Sequence, residues 1–511
     1  MNGNTIAILI AFAAYLLLMV GIGVWSMKKT TGADDFFLGG RGLSGPVAAM
    51  SAQASDMSGW LLMGLPGTVY ALGTGQAWIA VGLGIGTILN WTVIAKPLRT
   101  YTIVADNSLT LPEFFGNRYH DEKHILLGIS AVIICIFFLV YTASALASGG
   151  KLFNTVFGLD YHIALFLGMV VILVYTFMGG FLAVCYTDFV QGGIMFIALL
   201  LVPIIAWGYV SGDFSNLLEQ SGVNSAHYLS FFYNGDEPIT WQTIVSGLAW
   251  GLGYCGMPHI LVRFMAVKDE KELKKSQCIG IIWVVISLTL AISIGIIGRA
   301  YMMPEILGQN GTSTETVFIN IIEKLFADHL NLPFIGGFFI CGILAAIMST
   351  ADSQLLVCSS SISTDLYKRF VNPKADDQKI LNIGRIATFA VAILAFFIAW
   401  DPNSSIMGLV SDAWAGLGAA FGPLVLMSLF WERTNLQGAI AGLVSGAATV
   451  IIWDYLPLVG GNTIGNVTGL YSLIIGFVVS LLFIVVVSLA TKAPDELILK
   501  QFEEYKNYKE K

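Results

Sequence analysis

Residues 52–60 read Ala52-Gln53-Ala54-Ser55-Asp56-Met57-Ser58-Gly59-Trp60 and place a carboxylate and small polar side chains inside an apolar run. A second stretch, residues 250–258, reads Trp250-Gly251-Leu252-Gly253-Tyr254-Cys255-Gly256-Met257-Pro258. Glycine lowers helix stability by about 1 kcal/mol relative to alanine, and proline removes a backbone hydrogen bond. The two stretches therefore predict two helices that each break near the middle. Kinked helices that pack through small residues are an alternative interpretation of either stretch alone.

The composition around these stretches is that of a membrane protein. Of 511 residues, 56% are hydrophobic and 12% are charged, against about 25% charged in a typical soluble domain. The net charge of −7 and the low charge content exclude a disordered chain, a coiled coil and a nucleic-acid binder. The apolar runs are continuous rather than alternating, which predicts an all-α integral membrane protein in a lipid bilayer. No obligate protein partner is evident from the sequence.

The apolar runs predict thirteen transmembrane helices, because a span needs about 20 apolar residues. The interrupted stretches fall in the second and seventh of them. The candidate spans lie near residues 5–27, 45–71, 75–97, 124–149, 160–179, 187–209, 241–262, 276–300, 333–360, 382–400, 404–431, 436–456 and 469–491.

The distribution of lysine and arginine predicts the orientation. If the N-terminus is outside, the cytoplasmic loops and the C-terminal tail hold 23 of the 26 basic residues. The external side then holds only Lys151, Arg299 and Lys324. Such an asymmetry favours an external N-terminus, a cytoplasmic C-terminus and an odd number of spans, in a plasma membrane.

The interrupted helices also suggest an internal repeat. They are the first members of two successive groups of five spans, 2–6 and 7–11, and an odd number of spans makes the two copies opposite in orientation. Broken helices at equivalent places of inverted repeats are typical of the midplane binding site of secondary transporters, where freed carbonyls bind a cation and half-helix N-termini favour a carboxylate. The pattern thus predicts a transporter.

The ninth span offers further cation ligands, and the candidate intramembrane carboxylates are Asp56, Asp352 and Asp412, with Asp188 at the start of the sixth span. Ser349 and Thr350 follow Ala346 by three and four residues, so their oxygens share one helical face, although the hydroxyls could instead bond the preceding turn. Asp56 lies beside the first break and is the strongest functional candidate, since intramembrane carboxylates are costly. Asp188 either lines an ion exit route or caps the sixth helix. No catalytic or nucleotide-binding motif is present, so an enzyme is not expected.

The chain resembles the solute:sodium symporter family, and most narrowly its bacterial proline-transporting members. The resemblance runs in order along nearly the whole chain. It is carried by residues 54–67, 175–184, 250–254, 258–266, 346–354, 413–416 and 418–423.

The resemblance implies thirteen helices with a LeuT-type inverted-repeat core, sodium as the coupling ion with no other cofactor, and L-proline as the solute. It also implies site residues. The sodium ligands would be the carbonyls of Ala54, Met57 and Ala346 and the hydroxyls of Ser349 and Thr350. Sodium coupling or passage would involve Asp56 and Asp188. Solute binding would involve Ser58, Trp60, Tyr141, Trp250, Tyr254 and Pro258.

The predicted function is therefore uptake of L-proline driven by inward sodium flux through alternating access. A sodium symporter for another small carboxylated solute, such as another amino acid or pantothenate, is an alternative, and a channel or a transport-like sensor is a more distant one. The predicted segments are residues 1–44, the first helix and a cytoplasmic loop; 45–209, the first repeat; 210–240, an external loop; 241–431, the second repeat; 432–491, two C-terminal helices; and 492–511, a cytoplasmic tail.

Overall fold

The structure, a computed structural model, describes residues 3–27, 38–177, 180–309 and 312–508. Most of the predicted loop after the first span, with Lys28 and Lys29, lies outside the described residues. The same holds for residues 178–179 of one resemblance motif and for the tail lysines Lys509 and Lys511.

The described residues fold almost entirely into helices. The α-helices are α1 Gly3–Met27, α2 Gly45–Asp56, α3 Leu65–Leu72, α4 Ala77–Leu89, α5 Ala95–Val104, α6 Leu111–Arg118, α7 Ile125–Phe157, α8 Tyr161–Thr176, α9 Phe181–Tyr209, α10 Phe214–Gln220, α11 Ser225–Tyr228, α12 Trp241–Ala249, α13 Pro258–Ala266, α14 Glu270–Tyr301, α15 Val317–Glu323, α16 Pro333–Ser360, α17 Asp377–Ile398, α18 Ile406–Phe430, α19 Leu436–Tyr455, α20 Ile464–Thr468, α21 Ser472–Ala490 and α22 Glu496–Asn507.

Shorter segments of tighter or wider helix join several of these helices. The 3₁₀ segments are Gly39–Arg41, Thr74–Gln76, Trp250–Gly256 and Thr314–Thr316. The π-helical segments are Trp60–Gly64, Asn90–Ile94, Lys324–His329 and Ser361–Val371. The predicted loop 210–240 is not structureless, since it contains α10, α11 and an antiparallel pair of strands, β1 Tyr233–Asn234 and β2 Glu237–Pro238.

Ten helical segments of the described chain are long and apolar enough to cross a membrane, by length and composition. They coincide with ten of the thirteen predicted spans. The remaining three predictions, 45–71, 160–179 and 241–262, coincide with the two interrupted helices and with α8, which has 16 residues. The number thirteen therefore stays a prediction.

The first interruption separates α2 from α3. α2 ends at Asp56 because Met57 leaves the helical region, with φ −83° and ψ 76°. The chain resumes as the π-helical segment Trp60–Gly64 and then as α3, which has a proline in its first turn. The break predicted from the sequence is thus present, and it spans Met57 to Gly59.

The second interruption replaces about two turns of α-helix by the seven-residue 3₁₀ segment Trp250–Gly256 between α12 and α13. This segment packs directly on α18. A Cβ atom on Gly256 would lie 2.7 Å from both Leu417 O and Gly422 N, so a larger residue would force the two backbones apart. The glycines of this stretch therefore permit close packing as well as the break.

The two breaks lie inside the helix bundle. α2 packs against α9, α14 and α16, and α18 packs against α7 as well as against the second break. The residues around the first break, Ala54, Asp56 and Met57, are at most 1% exposed. The helices thus enclose a polar centre within an apolar protein.

Contacts between loops agree with the predicted sidedness. The Arg41 guanidinium donates to the carbonyls of Met265 and Ser108, which belong to segments predicted to be cytoplasmic. Arg299 donates to Ser221 Oγ and O, and both residues belong to segments predicted to be external. No contact among these joins the two predicted sides.

The C-terminal helix α22 is docked on α5 and α6. Phe502 is 1% exposed, and its ring meets that of Tyr101 at 5.9 Å. Tyr505 stacks on Tyr101 at 4.2 Å with nearly parallel rings. The buried Arg118 guanidinium lies 5.1 Å from the Phe502 ring centroid. The predicted tail is therefore a packed helix.

A buried ion pair connects three segments predicted to be external. Lys151 Nζ lies 2.5 Å from Glu315 Oε2 and 2.7 Å from Ser404 O, and Glu315 Oε1 accepts from the Ile406 amide at 2.8 Å. We expect Lys151→Met to lower the free energy of unfolding by about 1–3 kcal/mol, because it leaves a carboxylate without its cation. Thermal unfolding of the purified protein measures this, and Lys151→Met with Glu315→Gln should recover part of the loss. A single variant as stable as wild type would contradict the prediction.

Candidate functional site

The first break and α16 bring oxygen atoms together. Ser349 Oγ donates to Ala54 O at 2.7 Å and lies 3.3 Å from Ala346 O. Thr350 Oγ1 lies 3.4 Å from Ala54 O. All four residues are fully buried. Four of the five residues predicted as sodium ligands therefore form one cluster of carbonyl and hydroxyl oxygens, which are ligands that suit a small hard cation.

The fifth predicted ligand, Met57, is the residue at which α2 ends. Its amide closes the last turn on Gln53 O at 2.8 Å, and its φ and ψ angles take it out of the helix. The last carbonyls of a helix have no partner within the helix. The Ala54 and Met57 carbonyls therefore belong to a helix end whose partial negative charge favours a cation.

Asp56 connects the first break to the second. Its Oδ2 accepts from the Tyr254 hydroxyl at 2.6 Å, whereas its Oδ1 has no hydrogen-bond partner among the described residues. Its backbone carbonyl accepts from Trp60 Nε1 at 2.9 Å and lies 3.5 Å from the Tyr141 hydroxyl. Three residues predicted for solute binding, Trp60, Tyr141 and Tyr254, thus surround Asp56.

The other three predicted solute residues lie at the two breaks. Ser58 is inside the break, and its Oγ accepts from the Trp60 amide at 3.3 Å. Pro258 begins α13, directly after the second break. Trp250 lies at the start of that break, and its carbonyl accepts from Trp414 Nε1 at 2.8 Å.

Trp250 borders a separate cavity rather than the Asp56 group. Its ring stacks on Tyr471 at 5.3 Å and on Trp414 at 6.4 Å. It lines a cavity of about 500 Å³ together with Asp412 and Asp454. Tyr254 meets Trp414 edge to face at 5.1 Å, so Trp414 contacts both a residue that lines the cavity and a residue of the predicted solute region.

Asp188 is part of a buried polar network and does not join the oxygen cluster. Its Oδ2 accepts from Ser51 Oγ at 2.7 Å, from Ser55 Oγ at 3.0 Å and from Arg263 Nη2 at 3.3 Å. Arg263 Nη2 also donates to Ser353 Oγ at 2.6 Å, which lies 2.9 Å from Ser55 Oγ. The network therefore joins α2, α9, α13 and α16 directly beside the cluster.

The capping alternative for Asp188 is wrong. The sixth helix begins at Phe181, about two turns before Asp188, and Gly180 is its N-cap residue. The predicted span began at residue 187, since the polar pair Thr187-Asp188 resembles a helix start. Both residues instead lie well within the helix, and their side chains are fully buried in the bundle.

Arg263 was not predicted as part of this network, because it was counted among the cations of a cytoplasmic loop. α13 extends to Ala266, so Arg263 belongs to its last turn and is 0% exposed. Its cation neutralises Asp188, and an unpaired carboxylate at that depth would have been costly. Arg263 could have been identified from the sequence because a carboxylate inside a span, Asp188, requires a cationic partner.

An oxygen cluster at a helix break inside a multi-pass membrane bundle defines a sodium-coupled secondary transporter. Residues 36–446 match the family model that is described as "Sodium:solute symporter family". The chain belongs to the sodium:solute symporter family, and it is a transporter rather than an enzyme.

Relatives with known names match nearly the full length. The osmoregulated proline transporter OpuE of Bacillus subtilis is 45% identical over 98% of both chains. The high-affinity proline transporter PutP of the same organism is 45% identical over 96% of this chain and 99% of the relative. A sodium/proline symporter of Staphylococcus aureus is 43% identical over 96% and 94%.

Solved structures share the fold at low sequence identity. A Na⁺-coupled sialic acid symporter in a substrate-bound outward-open state superposes with a TM-score of 0.75 at 17% identity, over 96% of this chain and 99% of that one. A nucleobase-cation-symport-1 family transporter in a closed conformation gives a TM-score of 0.54 at 12% identity, over 93% and 100%. The predicted class, an all-α membrane protein with a LeuT-type core, is confirmed by these likenesses.

Proposed function

We propose that the protein is a symporter that couples inward sodium movement to uptake of L-proline. The observation that carries the proposal is the 43–45% identity, over at least 94% of both chains, to proteins named as proline transporters. The buried oxygen cluster at the first break supports the sodium part. No cofactor besides the coupling ion enters the proposal.

In this proposal sodium binds between α2 and α16, to the carbonyls of Ala54, Met57 and Ala346 and the hydroxyls of Ser349 and Thr350. Such a site can form only while α2 and α16 are close. Sodium therefore favours the conformation in which α2 and α16 are close. The size of this shift is set by the difference between the sodium affinities of the close and the separated arrangements.

L-Proline binds beside this site, between the two breaks. Ser58, Trp60, Tyr141, Tyr254 and Pro258 form its surroundings, and we place Trp250 at its entrance, because Trp250 borders the cavity next to Trp414. Asp56 provides negative field for sodium, and Asp188 contributes to the ion path through its network with Arg263. Both ligands stabilise an occluded arrangement, and opening to the other side releases them.

The membrane potential adds to the driving force. Movement of one positive charge through 100 mV supplies about 2.3 kcal/mol, which corresponds to about a fiftyfold solute gradient for one sodium ion. This requires sodium to enter from the external side. We place the N-terminus outside and the C-terminus inside the bacterial plasma membrane, with residues 45–209 and 241–431 as the two repeats.

Uptake of radiolabelled L-proline into proteoliposomes tests the proposal. With an inward sodium gradient we expect accumulation above equilibrium, and with potassium in place of sodium we expect none. Uptake that only equilibrates would indicate a channel. No uptake by folded protein would point to another small carboxylated solute, such as pantothenate.

A substitution in the oxygen cluster tests the sodium site. We expect Thr350→Val to raise the sodium concentration for half-maximal uptake by about tenfold, because it removes one ligand oxygen and keeps the shape of the side chain. Thr388→Val on α17 is the matched control, since Thr388 is also buried and, among the described residues, bonds only Gly384 O of its own helix. Equal sodium dependence in the two variants would remove Thr350 from the site.

A further inference from the structure

His259 is a buried polar side chain without a hydrogen-bond partner. It is 0% exposed, and neither Nδ1 nor Nε2 is hydrogen-bonded to any described residue. The ring instead meets Phe138 at 5.3 Å and Tyr141 at 6.1 Å, both edge to face. Buried polar groups in proteins nearly always have a partner, so an unpaired imidazole calls for a ligand that the chain itself does not supply.

His259 also lies at a helix N-terminus. It is the second residue of the nine-residue helix α13, and the N-cap residue Met257 offers no side-chain cap. Pro258 has no N–H, and the Ile260 amide donates to Met257 O at 3.1 Å, so the His259 amide is the first-turn donor that remains for an anion. The partial positive charge of a helix N-terminus also favours an anion. The Arg263 guanidinium, one turn further on, donates to the His259 carbonyl at 2.6 Å and so holds the backbone of the first turn in place.

The ring contacts place His259 beside the proposed solute region. Tyr141, which packs on the imidazole, has its hydroxyl 3.5 Å from Asp56 O at the first break. A neutral imidazole has one N–H donor and one acceptor, and its partner decides which nitrogen carries the proton. At this place the anionic part of an amino acid is the group that both the helix end and the ring N–H would recognise.

We propose that His259 is a specificity-determining residue, whose ring N–H donates a hydrogen bond to the carboxylate of the transported solute at the N-terminus of α13. This inference rests on the proposed function, because it concerns the same solute. It adds a side-chain donor to the backbone amide of His259 at that helix end. It also explains why an apolar environment holds an imidazole.

Competition against radiolabelled L-proline uptake tests the inference in proteoliposomes. L-Prolinamide keeps the ring and the amine and lacks the carboxylate. The measured quantity is the ratio of the inhibition constant of L-prolinamide to that of unlabelled L-proline. For His259→Leu we expect this ratio to fall at least about tenfold, because only L-proline loses a hydrogen bond to a charged group. For His259→Gln, which keeps an N–H donor, we expect a smaller fall.

Phe138→Leu is the packing control, since it alters the other face of the imidazole and removes no hydrogen-bonding group. It should shift both inhibition constants together and leave their ratio unchanged. A folded His259→Leu protein with a wild-type ratio would overturn the inference. If that variant does not fold, a wild-type ratio in a folded His259→Met protein, which also lacks a side-chain donor, would do so. Failure of the wild-type protein to take up L-proline with sodium would instead refute the proposed function.

Discussion

Replacement of Asp56 by asparagine is expected to raise the sodium concentration for half-maximal uptake by about a hundredfold. The carboxylate is fully buried beside the proposed sodium ligands Ala54 and Met57, and one of its oxygens has no partner among the described residues. At an effective dielectric constant of about 20 and a separation of about 5 Å, a negative charge stabilises a cation by about 3 kcal/mol. Asparagine keeps the shape and removes this charge.

Sodium titrations of L-proline uptake by the Asp56→Asn and Tyr254→Phe proteins measure this effect. Tyr254→Phe removes the hydroxyl that donates to Asp56 and keeps the charge. It should therefore change the KM for proline more than the sodium requirement. An Asp56→Asn protein with wild-type sodium dependence would show that the carboxylate has no part in coupling.

Replacement of Arg263 by methionine is expected to lower the free energy of unfolding by about 3–5 kcal/mol. Arg263 and Asp188 are both 0% exposed, and removal of one member of such a pair leaves an uncompensated buried charge. The loss should exceed that for Lys151→Met, whose partner Glu315 retains about a tenth of its side-chain exposure. Thermal unfolding of the purified protein in detergent measures both.

The double variant Asp188→Asn with Arg263→Met separates charge from packing. It removes both charges, so we expect it to recover at least half of the stability that Arg263→Met alone loses. Lys96→Met is the exposed control, because the Lys96–Glu270 pair is 61% and 39% exposed and such pairs contribute about 0–1 kcal/mol. A double variant no more stable than Arg263→Met would mean that the guanidinium acts through its other contacts.

Much of the fold follows from residue patterns. Glycine and proline in residues 250–258, and the polar residues around Asp56, identified both breaks, because these residues act on the backbone locally. The apolar runs identified ten helices for the same reason. The start of α9 could not be located, since Thr187 and Asp188 resemble a cap and only the tertiary structure supplies the serines and the arginine that allow them inside the bundle.

The candidate site was predictable to the extent that its members are neighbours in sequence. Ser349 and Thr350 share a helical face with Ala346, and the resemblance indicated that they meet Ala54. Arg263, His259 and Trp414 were not predicted as site residues, because their roles depend on contacts between residues far apart in the chain. A single sequence contains no record of such pairs.

The docking of α22 has a consequence for biosynthesis. Gln501 lies within 3.5 Å of the Asn117 carbonyl, 384 residues earlier in the chain, and Phe502 and Tyr505 cover Tyr101 in the same region. During translation, the aromatic surface of α5 and α6 therefore stays uncovered until α22 has left the ribosome. Such transiently exposed apolar surface promotes aggregation. Newly made protein truncated before Glu496 should consequently present this surface to chaperones and proteases throughout its life.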